Sequence, residues 1–225
     1  MRLSLEPFSQ VLLALERNYL PHQQSIMGEN AMKRVLIIAV MLTSMMILHA
    51  PVVYAAGGTT YTPSPTHWTR VYLSPAKHSP ENYGCDNYAE SPGARAIALA
   101  AKDYLYARGY VVRVGDGDFQ ENTSDSNAWS PHVHIPIHSN ARTTWDCGGS
   151  NPKSGGSWLM WETGSSADQN LSNYILPQLS SASPGTDDRG GTDEALSGKQ
   201  LHELRATNVP AAYVEAAFHT YGPDE

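Results

Sequence analysis

Basic residues are scarce in this chain. Fifteen lysines and arginines stand against 22 aspartates and glutamates, a formal charge of −7 over 225 residues. A nucleic-acid binder needs a positive footprint to displace counterions from phosphates, so nucleic acid drops out as a partner. Cysteine occurs only twice, as Cys85 and Cys147, and neither carries the local signature of a catalytic thiol. No Gly-x-Ser-x-Gly elbow occurs, which argues against a serine hydrolase of that kind. There is no internal repeat. The remaining composition is close to the globular average, and the length suits one catalytic domain with a full core.

The longest apolar run lies near the start. Lys33-Arg34 precedes residues 35–42 and 45–48, almost all aliphatic or methionine. A positive start followed by an apolar core predicts a signal peptide over residues 32–55, with Val53 and Ala55 at the −3 and −1 positions and cleavage after Ala55. An uncleaved anchor is the competing reading, because residues 32–50 are nearly long enough to span a bilayer. Residues 1–31 form an upstream extension, and Met1 and Met32 are both candidate starts. Export sends Cys85 and Cys147 to an oxidising compartment, where a disulfide between them is expected and two separate thiols are the alternative. The exported product is expected to be a monomer with no stable membrane anchor.

Residues 56–67 are rich in Gly, Thr, Ser and Pro and read as a linker, with the catalytic domain over residues 68–225. Residues 70–73 alternate as a strand and lead into a long loop reaching Glu90. Ala94, Ile97, Ala98, Ala101, Tyr104 and Leu105 then recur at helical spacing until Arg108-Gly109, and residues 110–114 form a strand. Strand, helix and strand in about 45 residues is the signature of a parallel sheet with packed helices, so the class is α/β. Residues 119–129 are polar and predict a partial helix. Residues 133–138 form a strand with His134, Pro136 and His138 on one face. Further elements are a strand at 157–162, helices at 167–179 and 196–206, and a last strand at 211–218.

A catalytic zinc site takes three ligands from histidine and carboxylate and keeps one position open. A separate carboxylate must take the proton from the attacking water. His78, Glu90, His138 and Glu215 are the candidates. Each has a duller reading. Glu90 suits the positive end of its helix, His138 suits a hydrogen-bonded strand end, and His132 and His134 suit the surface. Glu215 is harder to dismiss, since a lone carboxylate inside an apolar strand is costly unless paired or coordinated.

Three stretches together resemble one family. They are residues 71–75 with Asn87-Tyr88-Ala89-Glu90, then Ile135-Pro136-Ile137-His138-Ser139-Asn140-Ala141, and then residues 201–215 ending in Val214-Glu215. The combination resembles the zinc-dependent N-acetylmuramoyl-L-alanine amidases of the amidase_3 type, from about Val71 to the end. The resemblance implies a single three-layer domain, a mixed, mostly parallel sheet flanked by helices. It implies zinc held by His78, Glu90 and His138, with Glu215 as catalytic carboxylate. The implied substrate is peptidoglycan, cut between the lactyl group of N-acetylmuramic acid and L-alanine. Asn140 and Arg189 fall where substrate contacts are expected, Arg189 being equally a loop-ordering or surface charge.

Two departures from the family pattern stand out. The family's first histidine usually follows Pro-Gly directly, whereas Ser74-Pro75-Ala76-Lys77-His78 puts lysine there and histidine one later. A subgroup with a Ser-Pro-Ser-x-Gln opening is more similar, with His78 on the glutamine. His219 and His134 are the substitutes if His78 does not turn inward. The second departure is at the end: the sequence stops at Pro223-Asp224-Glu225, where the family usually continues into a closing helix, so either the last strand lacks cover on one face or the sequence is truncated, and no wall-attachment repeat is visible. Two further readings compete. One is a catalytically degenerate wall-binding domain, suggested by Lys77. The other is a zinc exopeptidase, in which Arg142 or Arg189 would read a terminal carboxylate. Trp129, Trp145, Trp158 and Trp161 are candidates for sugar stacking or for packing.

Overall fold

The computed structural model describes residues 57–64 and 66–224. The expected signal peptide, the expected cleavage after Ala55 and the 1–31 stretch lie outside these residues. Among the described residues no helix is long and apolar enough to cross a membrane.

The elements run β1 (Thr59–Tyr61), β2 (Arg70–Pro75), α1 (Glu90–Ala107), β3 (Val111–Val114), α2 (Phe119–Trp129), β4 (Val133–Asn140), β5 (Trp158–Trp161), α3 (Ser166–Ser180), β6 (Arg189–Thr192), α4 (Asp193–Ser197), α5 (His202–Arg205) and β7 (Tyr213–Phe218). Seven strands form one mixed sheet in the order β1-β3-β2-β4-β7-β5-β6. The β3-β2, β2-β4, β4-β7 and β5-β6 pairs are parallel, and β1-β3 and β5-β7 are antiparallel. This is the single α/β domain of helices flanking a mixed sheet that the sequence predicts.

One face of the sheet is apolar. Val71, Leu73, Val112, Val133, Ile135, Ile137 and Val214 pack with Ala94, Ala98 and Ala101 of α1 and with Leu171, Ile175 and Leu179 of α3. The alanine stripe lets α1 lie close to the strands. The opposite face is divided. Met160, Leu201, Leu204, Ala211 and Tyr213 make a smaller apolar cluster, whereas the part under α2 is polar. That explains why α2 looked only partly helical: its buried residues are Asn122, Thr123, Asp125 and Ser126, so its inward face forms hydrogen bonds. Local chemistry still starts the helix firmly, with Asp118 and Glu121 closing a capping box.

Two expectations need correction, and one strand was not expected. Thr59–Tyr61, within the stretch read as linker, pairs with β3 as an edge strand, and Gly58 N donates to Asp125 Oδ2 at 3.1 Å. Three residues are too few to display a period. The helix expected over 196–206 is two short helices: Gly198 stops α4 at φ 71°, and Asp193 accepts from Leu201 N at 2.9 Å and from Arg205, turning the chain back. Finally, β6 reads Arg-Gly-Gly-Thr and carries no strand signal. Its glycines answer to packing, because a Cβ on Gly191 would lie 2.8 Å from Leu196 Cγ, and one on Gly190 3.1 Å from Leu176 Cδ2.

The chain passes from β2 to β3 on one side and then returns to place β4 on the other side of β2. Such a reversal opens a crevice beyond the carboxyl ends of the two strands, where open α/β sheets bind ligands.

Candidate metal centre

The crevice between β2 and β4 gathers the predicted ligands. Beyond β2, Ala76 N donates to Ile137 O at 2.8 Å, which holds the loop beside β4. Lys77 then turns outward and its Nζ donates to Asp116 O at 2.9 Å. His78 N donates to Ser91 Oγ at 2.9 Å, and the ring turns inward to bring Nε2 3.1 Å from Glu90 Oε2. The one-residue offset in the opening motif therefore leaves His78, not Lys77, in the crevice.

Glu90 begins α1 and is buried. Its carboxylate accepts from Asn82 Nδ2 at 2.9 Å and from Ser139 N at 3.2 Å, and Oε1 faces His138 Nδ1 at 3.0 Å. Ligand atoms of His78, Glu90 and His138 lie within 4.8 Å of one another. His219 and His134 are outside this group. His219 Nδ1 pairs with Ser139 Oγ at 2.9 Å, and His134 Nδ1 with Ser126 Oγ at 2.9 Å. His134 is fully buried, not a surface residue. His132 does sit near the surface, where Nδ1 accepts from Arg70 N.

Glu215 on β7 is the register partner of His138 on β4, and Tyr213 stacks on the His138 ring at 4.6 Å. Burial would raise the Glu90 carboxyl, but the neighbouring His138 and His78 rings outweigh this and hold it far below the usual range. Burial would lower His138, yet the Glu203 and Glu90 carboxylates raise it to about 10. Burial pushes Glu215 up to about 8, against the pull of His138 and with the added push of Glu90. The three buried atoms His78 Nε2, His138 Nε2 and Glu215 Oε2 make no hydrogen bond. His78 Nε2 and His138 Nδ1 meet at the Glu90 carboxylate, next to a glutamate with an unbonded oxygen, a donor set that fits zinc.

A cleft of about 620 Å³ opens beside the cluster, lined by Asn140, Arg142, Trp158, Lys199, Tyr213 and Glu215 among others. Asn140 is thus at the cleft, while Arg189 is half exposed on β6, donating to Asp187 Oδ1 at 2.7 Å and lying over Trp158 at 4.9 Å. Arg142 also pairs with Asp187, so a single carboxylate occupies both arginines. Trp158 reaches the cleft, Trp129 packs against Tyr72, and Trp145 is exposed. Cys85 and Cys147 form a disulfide with Cα atoms 5.3 Å apart, tying the loop before Glu90 to the loop after β4. At the chain's end, Asp224 accepts from Gly156 N, Phe218 N, Gly185 N and Ser183 Oγ at 2.9–3.1 Å.

One residue escaped the sequence reading. Glu203 on α5 is buried, and its Oε2 lies 3.6 Å from His138 Nε2. A glutamate in a short, charged helical stretch carries no signal that it points inward.

No family model and no curated protein matches the chain. Solved structures do. The catalytic domain of CwlV, an N-acetylmuramoyl-L-alanine amidase from Bacillus (Paenibacillus) polymyxa var. colistinus, is similar at TM-score 0.52 and 17% identity, over 69% of this chain and 84% of that one. The N-acetylmuramoyl-L-alanine amidase AmiC2 of Nostoc punctiforme is similar at 0.52 and 17%, over 69% and 82%. The CwlD amidase from Clostridioides difficile, solved with the GerS lipoprotein, is similar at 0.54 and 16%, over 68% and 83%. At these identities the likeness is one of fold: the chain has the α/β architecture of amidase catalytic domains.

Proposed function

We propose that this protein is an exported, zinc-dependent amidase that hydrolyses peptidoglycan between N-acetylmuramic acid and L-alanine. The observation that carries the reading is the convergence of His78, Glu90 and His138 within 4.8 Å at the mouth of the β2–β4 crevice, with Glu215 on the neighbouring strand. The amidase fold of the similar structures, the resemblance of the three sequence stretches, the signal-peptide pattern and the disulfide all support it.

His78, Glu90 and His138 would hold zinc, which when bound polarises an amide carbonyl and acidifies water. Glu215 accepts the proton of the attacking water and delivers it to the departing alanine nitrogen, so that one amide and one water become a carboxylic acid and an amine. An acid raised by burial toward neutrality suits both halves of that transfer. Tyr213 holds the His138 ring by stacking, and the cleft past Asn140 and Trp158 receives the polymer.

A digest of purified peptidoglycan, with and without a chelator, tests the reading. New L-alanine amino termini that require zinc, without new reducing sugar ends, are expected. Release of single terminal residues instead would mean an exopeptidase. Binding to the wall without release, by folded and zinc-supplied protein, would mean a degenerate binding domain.

A further inference from the structure

Glu203 has an environment that a merely structural acid does not need. Its Oε1 is occupied: Ser74 Oγ donates to it, and His134 Nε2 lies 3.3 Å away. Both of these partners are themselves anchored. Asn122 Nδ2 donates to Ser74 Oγ at 3.1 Å while Asn122 Oδ1 accepts from Gly117 N at 2.9 Å. Ser126 Oγ meets His134 Nδ1 at 2.9 Å, and the His134 ring stacks on Tyr72 at 5.2 Å. The backbone is anchored too, because Asp193 accepts from Leu201 N and from Arg205 on either side of Glu203. All this fixes a buried carboxylate whose other oxygen, Oε2, is aimed at His138 Nε2, a nitrogen without a hydrogen bond.

The two ring nitrogens of His138 face different groups. Nδ1 points to the Glu90 carboxylate, which His78 Nε2 also approaches. Nε2, on the other side of the ring, faces Glu203 Oε2 at 3.6 Å, just beyond hydrogen-bond distance. A histidine that ligates a metal through one nitrogen characteristically donates its other N–H to a carboxylate or carbonyl, which sets tautomer and ring orientation and raises ligand basicity. Keeping a carboxylate buried is expensive compared with an apolar side chain of similar size, so stability alone does not account for it.

We infer that Glu203 is a positioning residue for the metal centre, accepting the Nε2 proton of His138 and thereby presenting Nδ1 to the cation. The inference rests on the metal reading proposed above. Glu203 acts through His138, and Asn122 and Ser126 of α2 hold Ser74 and His134, the partners of Glu203 Oε1.

The test is carried out on the zinc-loaded protein with 15N-labelled histidine and on zinc affinity by chelator competition. In the wild type, long-range proton–nitrogen spectra are expected to show His138 protonated at Nε2 and metal-shifted at Nδ1. Glu203→Ala is expected to weaken zinc binding by about 10- to 100-fold, and Glu203→Gln, which keeps an acceptor without the charge, by less. A metal-shifted Nε2 in the wild type overturns the inference, and this result needs no variant to fold. So does unchanged zinc affinity in Glu203→Ala. A wild type that takes up no zinc removes the metal reading and this inference together, whereas zinc-tight wild type and variant alike remove only this one.

Discussion

His138 stands between two carboxylates, with Nδ1 3.0 Å from Glu90 Oε1 and Nε2 3.6 Å from Glu203 Oε2. Without metal the pair of acids holds a proton on the ring, which is why His138 is raised to about 10. A ligand nitrogen must give up that proton. Zinc uptake near pH 7 is therefore expected to release at least one proton and to tighten as pH rises. Titration calorimetry in buffers of different ionisation enthalpy checks this, and a heat independent of the buffer would contradict it.

The same groups set the acid and alkaline limits of the metal-free fold. A histidine raised from 6.5 to about 10 contributes stability that is complete below about 6.5 and lost as pH climbs through 10. Glu90 and Glu203, held below their ordinary 4.5, contribute stability above that value that is lost in stronger acid. Chelated protein is expected to melt highest at mildly acidic pH and to lose thermal midpoint in both directions.

Glu215→Gln separates stability from activity. Glu215 is raised from 4.5 to about 8, so the folded metal-free state resists its ionisation and wild type loses stability as pH rises between those values. The amide has no such cost. Without metal, the variant is expected to melt above the wild type by a margin that grows from pH 5 to pH 8, and to lose peptidoglycan turnover by about a hundredfold or more as the proton carrier is removed.

His78 and Lys77 make a paired control. His78→Ala removes a group 3.1 Å from Glu90 and is expected to abolish stable zinc retention on a desalting column. Lys77→Ala loses only a contact with Asp116 O and is expected to retain zinc as wild type does. The reverse pattern would assign the first ligand wrongly.

Cys85→Ser with Cys147→Ser opens a link across 62 residues of chain. Loop-closure entropy puts the loss at about 2–4 kcal/mol, read as a lower thermal midpoint. Because the bridge also restrains the loop leading to Glu90, zinc affinity is expected to fall with it.

Much of the site was legible because its chemistry uses residues that are conspicuous in sequence. Glu215 stands out as an acid in an apolar strand, and His138 sits at the end of a strand whose alternation gives its face away. The β2-α1-β3 unit was readable from an alanine-rich helical period between two short apolar runs. The polar helix α2 resisted because period reading assumes that an inward face is apolar, and this one is built from Asn122, Asp125 and Ser126. The break after α4 resisted because Gly198 acts together with a distant carboxylate, Asp193, rather than through propensity alone.

By itself the sequence determined the α/β alternation, the four side chains proposed to bind metal and move a proton, and the two cysteines available for a bridge. Those follow from local period and from the chemical nature of single residues. Only the tertiary structure decided that His78 turns in while Lys77 turns out, that β2 and β4 bound one crevice, and that Glu203, 65 positions beyond His138 in the sequence, faces its free nitrogen. These are relations between segments far apart in the chain, set by strand order and by which buried polar groups find partners, and no window of sequence contains both members.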